Sequence, residues 1–394
     1  MKHKWPTTKL GEVLTERRET PTDDDLASGR VRIVEKISFD SGRIQLRVDG
    51  STKTGMILVR PGDLVVSGIN AAKGAIAIYD ANAVAPVAAT IHYGAYEINH
   101  QRADVRFLWW MLRSHFFQDL LLEFVPGGIK TELKAKRLLP VPVPLPPLAE
   151  QRRVVARIEE LAAQIHEART LRHQATEEAE ALSRSGAEAV FQKVRTKLGT
   201  KILGDVCSTI TDGDHNTPQF SDEGARFIFV GNVSSGRLHF ENTKRVSLDY
   251  FRSLKSHRLP ERGDILYSAV GATLGIPAVV DSDEPFCFQR HVAILKPDRN
   301  KVDSRFVWHM LGSRTVTEKA WASTTGSAQP TIPLRAIREL PIPVPPLAEQ
   351  RQIVAELDAL QAEVDALKRL QAETAAELDA LLPAILDRAF KGEL

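Results

Sequence analysis

The chain repeats itself once, and that repeat constrains its architecture more than any local signal. Pro142-Val143-Pro144-Leu145-Pro146-Pro147-Leu148-Ala149-Glu150-Gln151-Arg152 recurs as Pro341-Ile342-Pro343-Val344-Pro345-Pro346-Leu347-Ala348-Glu349-Gln350-Arg351, 199 positions further on. At the same shift Phe107-Leu108-Trp109-Trp110-Met111-Leu112 answers Phe306-Val307-Trp308-His309-Met310-Leu311, and Leu161 and Ile165 answer Leu360 and Val364. Looser echoes pair Leu10-Gly11-Glu12-Val13 with Leu203-Gly204-Asp205-Val206, and Pro61-Gly62-Asp63-Leu64 with Arg262-Gly263-Asp264-Ile265. Half of the chain is therefore one unit, used twice. Residues 14–60 and 207–261 share no visible pattern, although Val31–Val34 and Arg226–Val230 are both strand-like apolar runs. A scaffold is kept while its inserts vary.

Each half reads as a mixed strand-and-helix globule, closed by a tryptophan-bearing helix and then a proline-rich extended linker. Beyond each linker the pattern turns helical, with Pro147 and Pro346 where a first helical turn tolerates proline. From Leu148 to about Arg195 there is no proline, and Gly186 is the one glycine. The second stretch runs from Leu347 to Leu382, meets Pro383 and continues to Phe390. Leu357, Leu360, Val364 and Leu367 mark a seam of period 3.5. Gln371 and Thr374 break it before Leu378, Leu381 and Ile385 resume it. The first helix offers Ile158, Leu161 and Ile165, then Ala168, Arg172, Ala175, Ala179 and Leu182 at the same spacing. Helix one leads into the second globule and helix two leaves it, so the pair is expected to pack antiparallel. At the α-helical rise each spans on the order of 70 Å, a rigid ruler between two globules. The expected class is α+β: two mixed α/β domains joined by two long helices in an antiparallel coiled coil, pseudo-two-fold symmetric.

Charge is partitioned along the 394 residues, whose formal net charge is only +2. Residues 1–146 carry 20 Lys+Arg against 16 Asp+Glu, and residues 196–345 carry 19 against 16. The helical stretches 147–195 and 346–394 carry 8 against 8 and 5 against 10. Two basic globules on a neutral-to-acidic frame suit a polyanion partner, although an excess this small also describes an ordinary solvated surface. Candidate basic clusters are Lys130, Lys134, Lys136 and Arg137 in the first globule. In the second they are Lys244, Arg245, Arg252, Lys255, Arg258 and Arg262. Two cysteines, Cys207 and Cys287, make neither a disulfide framework nor a CxxC pair, which points to a reducing cytoplasm. No apolar run of signal-peptide or membrane-spanning length occurs, so secretion and membrane partners are not expected.

Catalytic motifs are missing. The sequence has no Gx4GK[ST] phosphate loop, no GxGxxG after a strand, and no Asn-Pro-Pro-aromatic or Asp-Pro-Pro-aromatic motif of amino-methyltransferases. Glu132-Leu133-Lys134 and Pro297-Asp298 are two unconnected halves of a nuclease motif, and no histidine pair has metal-ligand spacing. No catalytic residue, metal ligand or cofactor site is therefore expected in this chain. Thr211-Asp212-Gly213-Asp214-His215-Asn216-Thr217-Pro218 is the sharpest polar cluster. It reads as a turn, as a metal or hydrolase loop, or as a rigid loop presenting His215, Asn216, Thr217 and Gln219 to base edges. Phe286–Ile294 reads as one strand, with Gln289 and Arg290 or His291 projecting from a face, either toward bases or simply toward solvent.

The repeated Pro-Pro-Leu-Ala-Glu-Gln-Arg block, each time leading into a long heptad helix, resembles the specificity subunit of type I restriction-modification enzymes. So does the ending Leu382–Leu394, and the likeness covers essentially the whole chain. The segment Gly326-Ser327-Ala328-Gln329-Pro330-Thr331-Ile332 also looks like the family's, which adds Ser327 and Gln329 as DNA-binding candidates; the first half departs there, with Gly127-Gly128-Ile129-Lys130-Thr131. The resemblance implies target-recognition domains at 1–146 and 196–345, with a central repeated helix at 147–195 and a distal one at 346–394. It implies a non-catalytic subunit whose recognition domains each read half of a bipartite double-stranded DNA target, the helices setting the spacer. It further implies two docked methyltransferase subunits that bind S-adenosylmethionine and methylate adenine. Two restriction subunits using ATP and magnesium are optional further partners. A two-headed protein-binding scaffold, and a recognition subunit for a system that cuts beside its split site, are the alternatives.

Overall fold

The computed structural model describes residues 5–47, 54–125, 132–215, 218–271, 273–326 and 329–394. It divides into two compact units, Met1–Arg172 with Gln371–Leu394, and His173–Leu370. Each unit takes the start of one long helix and the end of the other. The helices run Leu148–Leu198 and Leu347–Phe390, beginning one residue after Pro147 and Pro346, whose carbonyls accept the first helical N–H groups.

In the first unit the main sheet is antiparallel, with strands Leu14–Glu16, Tyr93–Ile98, Leu64–Ser67 and Ile76–Ile78 side by side. In the second unit the same order holds Cys207–Asp212, Val292–Pro297, Ile265–Ser268 and Pro277–Val279. Leu64–Ser67 and Ile265–Ser268 are buried at every position, which is why each reads as an unbroken apolar run instead of an alternation. The Gly-Asp echo precedes these strands. Gly62 and Gly263 adopt left-handed φ of 86° and 91°, and the buried Asp63 and Asp264 accept the N–H groups of Arg60 and Glu261, both at 2.8 Å. The proline-rich linkers are strands too. Pro142–Pro144 pairs with Thr7–Lys9, and Pro341–Ile342 with Lys201–Ile202, stitching the exit of each globule to its entry.

The variable inserts conceal a second shared sheet. In the first unit Arg32–Ile37 pairs antiparallel with Ile44–Leu46 and parallel with Val87–Thr90; in the second, Ala225–Ile228 pairs antiparallel with Lys244–Val246 and parallel with Phe286–Phe288. The fourth strand lies on opposite edges: Met56–Val59 beside Val87–Thr90, but Phe220–Ser221 beside Lys244–Val246. The inserts therefore diverge by edge strand, not by fold.

The repeated glutamines explain the repeated block. Gln151 and Gln350 are fully buried. Gln151 accepts the Asp104 N–H at 2.8 Å and donates to the carbonyls of Arg102 and Pro146 at 2.9 and 2.7 Å. Gln350 does the same with Asp303, Lys301 and Pro345 at 2.8, 3.0 and 2.7 Å. Asp104 and Asp303 in turn cap Val105–Leu112 and Ser304–Leu311, the tryptophan-bearing helices. One side chain thus fixes three chain segments that converge out of water.

The helical stretches run antiparallel within each unit. Arg169 meets Asp379 and Arg172 meets Thr374 in the first; Glu180 meets Lys368 and Lys197 meets Glu349 in the second. The repeat extends to the helix ends, where Phe390 and Phe191 take matching buried places against Phe107 and Phe306, edge to face at 5.4 and 5.8 Å. Three seam expectations fail, at Ala175, Leu182 and Leu381, all of which are exposed. Leu182 and Leu381 are 70% and 46% exposed. Past the polar Arg172–Gln371–Thr374 contact the apolar stripe shifts to Ala187 and Phe191, and to Leu386, Ala389 and Phe390, because each helix end turns its apolar face to a globule. Among the described residues no helix is long and apolar enough to cross a membrane. Cys207 and Cys287 are unpaired, and burial pushes both thiols up to about 12.

Candidate nucleic-acid interface

The same end of the main sheet carries the polar loops in both units. In the first, the register Ser67↔Tyr93 continues into the Gly68 N–H donating to the His92 carbonyl at 2.7 Å, and Leu133 N–H to Gly68 O at 2.7 Å brings in the segment before Ala135–Leu138. In the second, Ser268↔Val292 continues into Ala269 N–H to His291 O at 3.0 Å, and Ile332 N–H to Ala269 O at 2.8 Å. His92 and His291 are equivalent, as are Gly68 and Ala269, and Leu133 and Ile332.

Sequence reasoning did not nominate His92, although it stands 199 positions before His291. Its Nδ1 lies 3.0 Å from Glu132 Oε1, with Lys134 Nζ at 3.5 Å from the same carboxylate. The bond from His92, aided by Lys134, holds the Glu132 carboxyl below the usual carboxylate range. Arg137 is half-buried and donates to the Glu132 carbonyl at 2.9 Å, which makes it a brace for the loop; Lys134 and Lys136 are exposed. Lys130 lies outside the described residues, as do Asn216, Thr217 and Ser327.

In the second unit the structure gathers residues that are far apart in sequence. Phe286–Ile294 is not one strand. Phe286–Phe288 belongs to the second sheet and Val292–Pro297 to the main sheet, so Gln289, Arg290 and His291 form the turn between sheets, where the chain must change partners. Asp214 bridges to Gln289, and Gly213 lies so close that a Cβ there would stand 2.2 Å from the Phe288 carbonyl oxygen. Val270 bridges to Thr331, and Gly271 N–H donates to Pro330 O at 3.1 Å, which brings in the loop holding the exposed Gln329. His215, Gln289, Arg290, His291 and Gln329 thus share one end of the unit. Gln219 is exposed just before Phe220–Ser221, and no described hydrogen bond ties it to that group.

The Asp-Gly-Asp-His segment is held by its own side chains. His215 Nε2 is 2.9 Å from Asp212, Tyr250 donates to Asp214 at 3.0 Å, and Arg258 stands 3.7 and 3.8 Å from the two carboxylates. Burial, then the Asp214 carboxylate, raises the Tyr250 phenol, so it stays a donor. Among the described residues no His, Cys, Asp and Glu side chains group as a metal site. Burial, with Arg290 adding to it, holds His291 below the usual histidine range, which leaves a neutral ring with one donor and one acceptor. Of the basic candidates, Arg262 is committed to Asp283 at 2.8 Å, Arg245 to the Gly224 carbonyl at 2.7 Å, and Lys244 lies over the Phe220 ring.

In both units polar loops of different composition are set at one end of a repeated frame. Residues 198–375 match the type I restriction modification DNA specificity domain. The chain is 26% identical, with a TM-score of 0.76 and full coverage of both chains, to a chain solved in work on complex assembly and conformational transition of the type I R-M system. The HsdS subunit from Thermoanaerobacter tengcongensis gives 25% identity and a TM-score of 0.60, covering 99% of this chain and 97% of that one. Among curated relatives, the type I restriction enzyme EcoBI specificity subunit of Escherichia coli is 23% identical over 287 residues, 66% of this chain and 60% of that protein. The EcoDI specificity subunit is 29% identical over 132 residues, 34% and 29% of the two. The chain thus spans less than two thirds of those curated relatives. Residues 198–375 thus match the DNA specificity domain, and the chain as a whole is similar to type I restriction-modification specificity subunits.

Proposed function

We propose that the two units each read one half of a bipartite double-stranded DNA target, through the loop clusters around His92 and His291. The observation that carries this is the equivalence of those clusters. The same backbone bonds hold the same loops twice, while the exposed side chains differ, as expected for two different half-sites on one frame. Lys134 and Lys136 would meet phosphates; His215, Gln289, Arg290 and Gln329 would meet base edges. The long helices would set the unspecified spacer, and two methyltransferase subunits would dock on the body and methylate adenine. S-adenosylmethionine, and the ATP and magnesium of any restriction subunits, would be held by those partners.

The test is single-molecule sequencing of genomic methylation with the gene present and deleted. Loss of one split adenine motif on deletion is the expected result, and an unchanged methylome refutes the proposal. A seven-residue insertion between Leu171 and Glu178 is expected to change the spacer and leave both half-sites alone.

A further inference from the structure

The tryptophan-bearing helix seats an arginine in the first unit and none in the second. In the first, Arg113 lies over the Trp109 ring at 4.3 Å, donates to the Phe39 carbonyl at 2.7 Å, and packs on Gly42 so closely that a Cβ there would collide with its guanidinium. The Trp109 indole is itself pinned, its N–H donating to the Ile76 carbonyl at 2.9 Å. Each part of this seat recurs in the second unit. Trp308 donates to the Pro277 carbonyl at 3.0 Å, and Gly236 stands near that carbonyl as Gly42 stands near Ile76, both glycines with left-handed φ, 80° and 65°. The arginine does not recur, because its position is Gly312. Arg305, which lies over Trp308 at 4.6 Å and pairs with Asp358, matches Arg106 and its partner Glu159, not Arg113. Among the described residues no other cation covers the Trp308 ring, and a Cβ on Gly236 would meet nothing nearer than 3.9 Å.

Three neighbours change in the same sense. His309 stands for Trp110, and Ser183 and Ala187 stand for Leu382 and Leu386, at the same shift of 199 that relates Phe191 to Phe390. The place is a 170 Å³ pocket in the first unit and a 690 Å³ cavity in the second. Ile276, Pro277 and Leu357 add to its apolar wall. Its charged groups are already paired, Glu188 with Arg195, Glu318 with Arg314 and Arg184 with Glu180. The feature left for a ligand to engage is therefore the ring of Trp308.

An indole held rigid among apolar walls favours a flat cation over a compact ammonium, because a guanidinium stacks on the ring and sheds its water more easily. We propose that this cavity receives the side chain of an arginine carried by a second protein, stacked on Trp308 as Arg113 is stacked on Trp109. The first unit supplies the model of the fit, with the arginine in the same chain. A protein segment is the source, not free arginine. Beside the arginine, the second unit also lacks the bulk of Trp110, Leu382 and Leu386, which apolar residues flanking a partner's arginine would restore. The charged ammonium and carboxylate of the free amino acid would instead be carried against the same apolar walls. The site stands apart from the DNA-reading proposal, and it makes the second unit the one that takes this contact, since Arg113 closes the first.

The experiment is calorimetry on the full chain, with the peptide acetyl-Leu-Arg-Leu-amide as probe. One site per chain is expected. The peptide should bind about fivefold or more tighter than its citrulline analogue, which keeps the shape and loses the charge. It should bind about tenfold tighter than acetyl-arginine amide, which lacks the apolar neighbours. Gly312→Arg places the side chain in the seat from within the chain and should abolish binding, while its melting curve shows that it is folded. Arg113→Gly opens the counterpart seat and should gain a second site for acetyl-arginine amide. Equal affinity for the arginine and citrulline peptides overturns the proposal, and that comparison needs no variant. Unchanged binding by a folded Gly312→Arg overturns it too, since the peptide then sits elsewhere. If acetyl-arginine amide binds as tightly as the peptide, the guanidinium site stands and the protein source is overturned.

Discussion

Replacing Gln350 by Met removes a side chain of nearly the same volume that closes three hydrogen bonds in a fully buried place. Methionine can answer none of them. The Asp303 N–H and the Lys301 and Pro345 carbonyls would stay dry and unpaired, at about 1–3 kcal/mol each. Methionine recovers roughly 1 kcal/mol of apolar transfer. The Asp303 cap of Ser304–Leu311 is also loosened, since its backbone loses its anchor. A net loss of about 3–5 kcal/mol is expected, or on the order of 10 °C in the melting of the unit. Urea unfolding followed by tryptophan fluorescence reads it directly, because Trp308 sits in the helix concerned. Gln352→Met is the control: this exposed side chain donates to Glu356, one turn away at 3.2 Å, and its loss should cost under about 0.5 kcal/mol. A Gln350→Met loss below about 1 kcal/mol with an unchanged m-value would refute the clamp, and Gln151→Met should repeat the result in the other unit.

Four further outcomes follow from the same geometry. Arg113 stacks on Trp109 at 4.3 Å and donates to the Phe39 carbonyl at 2.7 Å, burial drawing its guanidinium down to about 10; Arg113→Gly should cost about 2–3 kcal/mol in denaturant. The equivalent Gly312 borders a 690 Å³ cavity, so Gly312→Arg should fold with little change in melting temperature. Burial holds His309 below the usual histidine range despite Asp358 at 2.7 Å, so the unfolded chain takes up a proton first as pH falls. That contribution is complete above the usual histidine range and is lost on acidification through it and below; His309→Trp, matching Trp110 of the other unit, should flatten this part of a melting-versus-pH curve. Gly213→Ala, whose Cβ would collide with the Phe288 carbonyl, should displace the loop bearing His215 and weaken methylation at one half-site only.

Much of the frame was legible because the same residues recur at the same spacing and therefore do the same structural work. Proline before each helix and the tryptophan helices follow from local chemistry repeated 199 residues apart, and the Gly-Asp turns from the same chemistry at a slightly longer shift. The second sheet was not legible, because its strands are short and the fourth joins opposite edges in the two units. Leu182 and Leu381 fit a heptad yet face water, since a helix's period says which residues align but not where a globule takes over as its partner.

The sequence by itself determined that there are two units, that each is strand-rich and closed by a long helix, and that their inserts are free to differ. Only the tertiary structure decided which polar residues meet. Gln289–His291 reads as part of a strand until the chain switches sheets there, and the loops holding His215, Arg290 and Gln329 come to one end of the unit through backbone pairings between residues far apart in sequence. Local periodicity carries no information about such pairings. They are fixed by which sheet edge remains open once the core has closed.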